Sequence, residues 1–285
     1  NHEVNNDNDI SVYRITSCLF PWMSEYDITQ LPDYTEIAAT LADVGRIARD
    51  AGQRLSFHPG QFCVLASPNE STVVKSLREL DQTAQIMDML GMPKSPAAKI
   101  NIHVGGAYGE RAKALARFCT AFKRLSHSAQ SRLTVENDDK ANMYSVQDLY
   151  DGVYKVVGIP IVFDYFHHKF CTGGMTEEEA LKLAASTWGD VKPCTHYSES
   201  RREEQQLIIE QICNNNNITI EQMQDFPTLA GMYKEFSKIK VQAHSDYIVG
   251  DINDYGLDID VVVEAKAKEL AFMEKKNILT EVLPC

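Results

Sequence analysis

No apolar run in these 285 residues approaches the ~18 needed for a membrane-spanning helix, so a spanning helix is excluded. The first nine residues are polar and lack the charged, apolar and cleavage regions of a signal peptide. Seven cysteines (Cys18, Cys63, Cys119, Cys171, Cys194, Cys213 and Cys285) include no CxxC pair. That scatter argues against a cysteine-based zinc site and for reduced thiols in an intracellular protein. Basic residues are in deficit, with 28 Lys and Arg against 40 Asp and Glu and a net charge of −12. Nonspecific nucleic-acid binding by the whole surface is therefore disfavoured, although a local groove is not. Internal sequence repeats are absent as well.

What is present is a soluble composition, 44% apolar and 24% charged, in a length that suits one α/β barrel with insertions or two ordinary domains. Five short apolar runs each stop on a residue that binds metals well. They are Leu55-Ser56-Phe57-His58, Ile100-Asn101-Ile102-His103, Leu133-Thr134-Val135-Glu136, Ile161-Val162-Phe163-Asp164 and Val261-Val262-Val263-Glu264. A less apolar run ends at Cys194-Thr195-His196. Strands buried on both faces read as continuous apolar segments, and helices return the chain between them.

Seven strands are predicted, at 12–16, 54–58, 99–104, 131–136, 159–164, 192–197 and 258–264. Helices are predicted at about 36–51, 71–90, 109–125, 146–157, 177–186, 203–213 and 265–276. Gly52 stands where a C-cap glycine would end the first helix. Ser145 with Asp148, and Thr176 with Glu179, read as capping boxes. Residues 239–244 read either as an eighth strand or as a loop. Most strand ends fall ~30–45 residues apart, the length of one βα unit. Such alternation points to a single-domain (β/α)₈ TIM barrel, broken in rhythm by an insertion at about 200–237.

In a barrel of this kind all strand C-termini meet at one face, where active sites lie. His58, His103, Glu136, Asp164, His196 and Glu264 would converge there, joined by His167 and His244 on nearby loops. Mixed imidazole and carboxylate donors suit Zn²⁺, Mn²⁺ or Fe²⁺ better than Mg²⁺ or Ca²⁺. Three carboxylates can also bridge, so two or three ions fit. Ions roughly 3.5–4 Å apart suit phosphodiester cleavage, because they stabilise both the attacking and the leaving oxygen. Any one of these residues alone reads more simply as a hydrogen-bonded strand end; the joint pattern is what points to metal.

His168 competes with His167 as the ligand, since both closely follow Asp164. His127 and His2 read as surface residues. Gln61-Phe62, just beyond His58, reads either as a wedge for a duplex or as a turn whose ring packs beneath its own loop. Gly105-Gly106 could admit a phosphate but is more simply a turn. Lys169, Arg201 and Arg202 are candidate phosphate contacts or plain solvated surface.

These residues, in this order, resemble the UV damage endonuclease family, which is similar to endonuclease IV-type barrels. The resemblance is carried by Tyr13-Arg14-Ile15-Thr16-Ser17, by 53–62 ending His58-Pro59-Gly60-Gln61-Phe62, and by His103-Val104-Gly105-Gly106-Ala107-Tyr108-Gly109. Glu136-Asn137-Asp138, Asp164-Tyr165-Phe166-His167-His168, His196-Tyr197-Ser198, Ala243-His244-Ser245-Asp246-Tyr247 and Glu264-Ala265-Lys266 extend it over most of the chain outside about 200–237. It implies metal-dependent nicking of the DNA backbone 5′ to ultraviolet photoproducts, both cyclobutane dimers and 6-4 photoproducts, and also at abasic sites. It implies a cluster of three divalent ions, usually Mn²⁺ with Zn²⁺ or Mg²⁺ as alternatives. The implied ligands are His58, His103, Glu136, Asp164, His167, His196, His244 and Glu264. Gln61 and Phe62 match the pair that probes the lesion, although Tyr is frequent in the family where Phe62 stands.

Three departures accompany the resemblance. The family's first strand and helix have no counterpart here, so the barrel is expected to lack its first βα unit and to leave 239–244 as a loop. Cys194 stands where family members can carry a modified lysine, so that ligand is not assigned. The segment between His196 and His244 is longer than usual. The expected partner is damaged double-stranded DNA rather than a membrane, and the expected state is a monomer. The expected compartment is prokaryotic cytoplasm or a eukaryotic nucleus. Competing readings are an endonuclease IV-like abasic-site enzyme, a truncated damage-binding protein that does not cut, and a sugar isomerase on the same barrel.

Overall fold

The computed structural model describes residues 10–274. They divide into two compact units: one runs to His196 and includes Asp254–Val262, the other comprises Tyr197–Asn253 and the residues from Val263. In the first unit β1 (Val12–Ile15), β2 (Arg54–Phe57), β3 (Ile100–Ile102), β4 (Leu133–Glu136) and β5 (Ile161–Val162) form a parallel sheet in sequence order. β6 (Cys194–Tyr197) pairs with β7 (Asp260–Val263), and a parallel bridge between Asp164 and His196 links the ends of β5 and β6. All seven predicted strands are present, trimmed by one to four residues. β5 is shortest, and just past it the Phe163 carbonyl accepts from His196 N at 2.9 Å.

Helices return the chain between strands: α1 (Tyr34–Asp50), α2 (Glu70–Met89), α3 (Arg111–Phe122) and the short α4 (His127–Gln130). In α5, Val146–Leu149 and Lys155–Val157 flank a π-helical turn at Tyr150–Tyr154. α6 (Tyr165–His168) and α7 (Glu177–Ala185) follow. Both capping boxes form, Ser145 with Asp148 and Thr176 with Glu179, so each helix starts where orphan backbone donors find side-chain acceptors. Gly52 and Gly91 follow α1 and α2 with φ of +65°, the left-handed conformation that glycine adopts freely. Gly45 lets α1 approach α2 so closely that a Cβ there would land on the Leu90 carbonyl.

β2 to β6 are largely buried, whereas β1 and β7 are mostly half-buried. Leu55 and Phe57 of β2 pack with Leu41 and Ala48 of α1 and with Ile86 and Met87 of α2. Val162, Trp188, Cys194 and Val262 pack together, with Val12 against them. At the start of β4 the fully buried Arg132 donates to the carbonyls of Met92 at 2.7 Å and Pro93 at 3.0 Å, and pairs with Asp88 at 2.8 Å. Those partners lie at the end of α2 and in the segment that follows it, so the arginine anchors both to β4.

The second unit holds α8 (Arg201–Asn216) and α9 (Pro227–Ser237), with Ile209, Cys213 and Met223 forming its own cluster. The interruption expected at about 200–237 is thus a helical pair. Residues 239–244 are a loop, held by an isolated antiparallel bridge between Ser200 and His244 and by the Arg201 N to Ala243 O bond at 2.8 Å. The closing helix begins at Glu269 rather than 265; its predicted last positions, 275–276, lie outside the described residues. Replacing Gly45 with Ala should force α1 off Leu90 and cost roughly 1–3 kcal/mol, as overpacking does. A thermal melt with Tm unchanged from wild type would contradict that close approach.

Candidate metal centre

The parallel register brings the ends of the strands to one edge of the sheet, with Phe57 at the end of β2 level with Ile100 at the start of β3. Ile15 pairs with Phe57 and Ile102 with Val135, so the residues just past these strands share one edge of the sheet. His58 follows β2, His103 follows β3, Glu136 ends β4, Asp164 lies two residues past β5, and His196 is in β6. α6 begins immediately after Asp164, whose side chain caps it by accepting from His167 N at 2.7 Å. That cap turns His167 inward.

Glu136 is the hub and is 1% exposed. His58 Nε2 lies 3.3 Å from one carboxylate oxygen, which His196 Nδ1 approaches to 3.1 Å. The other oxygen faces His167 Nδ1 at 3.3 Å and His103 Nε2 at 4.0 Å. Imidazole rings pack around it, with centroids of His58 and His103 5.6 Å apart and those of His103 and His167 5.5 Å apart. Burial alone would raise the Glu136 carboxyl, but the fields of His196 and His103 and hydrogen bonds from His167 and His196 hold it well below the usual range. Burial opposes charge on His103, yet Glu136 and Asp138 push it up to about 9. His167 is likewise driven to about 11 by Asp164 and Glu136 against its burial. At His58 burial wins, and the pKa falls.

The donor set fits divalent metal. His58, His103 and Glu136 offer atoms within 4.8 Å of one another, and so do Glu136, Asp164 and His167. Two such triads share Glu136, and a carboxylate with two oxygens can bridge neighbouring ions. Imidazole with carboxylate is the donor chemistry of Zn²⁺, Mn²⁺ or Fe²⁺.

The other predicted positions divide clearly. His168 stands apart from the triads, its ring 5.3 Å from that of Phe163. His244 and Glu264 belong to the second unit, where His244 Nδ1 lies 3.1 Å from the Glu264 carbonyl and 3.7 Å from its carboxylate. Phe62 packs beneath nothing; it is 82% exposed on a turn closed by Cys63 N to Gly60 O at 2.9 Å, with Gln61 exposed beside it. Gly105 has φ of +95°, as a turn requires. Lys169 sits 5.8 Å over the Phe166 ring, and Arg202 donates to the Ile239 carbonyl. His127 is exposed on α4, and His2 lies outside the described residues. Cys194 is buried, which pushes its thiol up.

Three supporting residues were not foreseen. Asn101, inside β3, donates to Glu136 and accepts from Thr134 Oγ1 at 2.8 Å. Asp138 Oδ1 lies 3.1 Å from His103 Nδ1. Lys99, 1% exposed, places Nζ 2.7 Å from His196 Nε2, while the opposite ring nitrogen faces Glu136. A lysine directly before an apolar strand was the one available signal for that contact.

The family model described as "UV-endonuclease UvdE" matches residues 2–282. The chain belongs to this family. Among UvdE relatives, a UV-damage endonuclease of Neurospora crassa is 34% identical over 205 residues, 67% of this chain and 30% of that protein. A UV DNA damage endonuclease of Clostridium perfringens is 31% identical over 204 residues, 69% of this chain and 47% of that one. This chain's match thus spans less than half of either relative. A Bacillus cereus UV DNA damage endonuclease is 31% identical over 285 residues, 96% of this chain and 77% of its own. The crystal structure of SacUVDE superposes with a TM-score of 0.75 at 27% identity, covering 98% of this chain and 83% of that one. A D-tagatose 3-epimerase-like protein (TM-score 0.55, 11% identity, covering 95% of this chain and 87% of that one) and a xylose isomerase domain protein from Planctomyces limnophilus (0.54, 15%, covering 100% and 93%) show the fold alone. The UvdE chain is therefore an α/β chain of TIM-barrel type. No described helix is long and apolar enough to cross a membrane.

Two outcomes test the metal centre. A divalent ion must displace the protons held on His103 and His167, so Mn²⁺ affinity should rise with pH, up to about tenfold per unit for each proton displaced. Isothermal titration between about pH 6 and pH 8 measures it, and a flat affinity would remove these imidazoles from the ligand set. Lys99→Met should weaken Mn²⁺ binding by about 10–100-fold, as loss of a ligand's supporting contact does. An unchanged dissociation constant would deny Lys99 that role.

Proposed function

We propose that this UvdE chain is a metal-dependent endonuclease that nicks damaged duplex DNA 5′ to ultraviolet photoproducts and at abasic sites. The observation that carries the reading is the buried Glu136 carboxylate ringed by His58, His103, His167 and His196, in a chain of the UvdE family. Those residues, with Asp164, would hold the cations; we assign them Mn²⁺, and the resemblance puts the count at three. Bound there, divalent ions supply Lewis acidity to the phosphodiester oxygens and make water acidic enough to attack near neutral pH.

The protein's own part is positioning. Glu136 presents one carboxylate oxygen to the His58 and His196 side and the other to the His103 and His167 side, so a single residue orients both halves of the cluster. Asp138 and the Asn137 carbonyl, 2.9 Å from His167 Nδ1, fix the outer rings. Asn101 holds the carboxylate from within the sheet. Gln61 and Phe62 stand clear of the protein, where an aromatic edge can enter a duplex. Damaged bases stack poorly, so extruding them costs less than the few kcal/mol an intact pair requires. Discrimination then falls on the probing pair, and cutting falls on the cluster.

Relaxation of ultraviolet-irradiated supercoiled plasmid with Mn²⁺, against unirradiated plasmid, tests the activity. Glu136→Gln should reduce nicking by at least about 100-fold, since the shared ligand loses its charge. Phe62→Ala should reduce photoproduct cutting more than abasic-site cutting. Equal loss on both substrates would favour an abasic-site enzyme instead, and equal inactivity of the wild type on both plasmids would reject the function.

A further inference from the structure

Beyond the probing pair, the loop after β1 carries a second exposed aromatic residue. Trp22 is 82% exposed, matching Phe62, and its backbone has φ of +61°, a left-handed conformation that bulky residues avoid. Such outliers persist only where the surroundings enforce them, and they cluster at functional sites.

Here the surroundings do enforce it. Trp22 opens a tight turn, its carbonyl accepting from Glu25 N at 2.9 Å. Directly beyond, Met23 and Ile28 are buried in the core under α2. The buried Gln82 of α2 donates to the Met23 and Tyr26 carbonyls and accepts from Ile28 N at 2.7 Å. Outside that clamp, Lys75 pairs with Glu25 at 2.6 Å and Arg78 donates to the Ser24 carbonyl at 3.2 Å. The loop is thus stapled to α2 at several points, and the staples leave the indole in solvent. Burying a Trp is ordinarily favourable, so a rigid loop that holds one outward suits a partner.

Topology says where that partner lies. β1 and β2 are adjacent and parallel, with Ile15 level with Phe57. The loops bearing Trp22 and Phe62 therefore leave the same edge of the sheet, on neighbouring strands, at the edge where His58 stands. In the β3 loop Tyr108 is half exposed on a left-handed backbone of φ +49°. Three consecutive loops at this edge thus present aromatic rings.

We propose that Trp22 stacks on a nucleobase of bound duplex DNA, a second aromatic contact beside Phe62. The inference rests on the proposed function, since that reading brings DNA to this edge. Base–aromatic stacking tolerates any base because every base has a π-face. Trp22 therefore contributes affinity and register, and lesion choice stays with Gln61 and Phe62.

Fluorescence tests it directly, because the only other tryptophan, Trp188, is 3% exposed and bonded through Nε1 to the Ile161 carbonyl. The full chain is titrated with Mn²⁺ and a dye-labelled duplex, photodimer-containing or intact, before appreciable nicking. Anisotropy reports binding, and indole emission reports stacking. Binding should quench the Trp22 emission. Trp22→Ala and Trp22→Gly should each weaken binding roughly 5- to 100-fold, and Trp22→Phe should restore most of it. The glycine variant suits the left-handed backbone, so its unchanged or higher Tm separates lost contact from lost fold. Normal binding by both truncated variants, or binding of wild type without quenching, would overturn the contact and leave the endonuclease reading standing. Quenching with no preference for the damaged duplex would uphold the contact and count against that reading. Failure of wild type to bind either duplex would overturn both.

Discussion

A negative charge held inside the protein is the constraint that everything else answers to. An isolated buried carboxylate costs far more than a fold of this size can spare, and it survives only when opposite charge and hydrogen bonds surround it. Glu136 is surrounded by four imidazoles and an amide supplied by β2, β3, β6, α6 and the residues just beyond them. No two of those partners are close neighbours in the chain apart from Asn101 and His103. The strands must therefore lie in one register for the charge to be tolerated at all, which ties correct pairing of the sheet to the assembly of the site.

How much of this was legible depends on which physical signal each residue leaves. Apolar runs betray buried strands, and a polar residue at the end of each run betrays the edge where they meet. His58, His103, Glu136, Asp164 and His196 were readable for that reason. The capping boxes at Ser145 and Thr176 were readable because a cap is a local bond with a fixed spacing. Asn101, Lys99 and Asp138 were not. Asn101 hides within an apolar strand as one polar letter, Lys99 is merely the first residue of the predicted strand 99–104, and Asp138 reads as ordinary loop. Their contacts are with side chains far away in the chain, on or beside other strands, which no local pattern reports. Trp22 was equally silent, since its exposure and backbone conformation are set by contacts with α2 made more than fifty residues away.

The sugar epimerase and isomerase neighbours share the architecture at 11–15% identity. A fold of this class offers only an edge where strand ends gather, and the chemistry comes from what is mounted there. The aromatic residues on the loops mark the difference in this chain. A site for a small sugar has reason to enclose its substrate, whereas Phe62 is left in open solvent.

The strand that ends in Glu136 begins one residue after Arg132, whose guanidinium is fastened to the carbonyls that follow α2. One short segment thus carries a fully buried scaffold anchor at its base and the central carboxylate at its tip. Any excursion that frees the anchor also withdraws that carboxylate from the imidazoles around it. On the proposed reading, a partly opened molecule would lose its hold on cations and, with it, the power to cut.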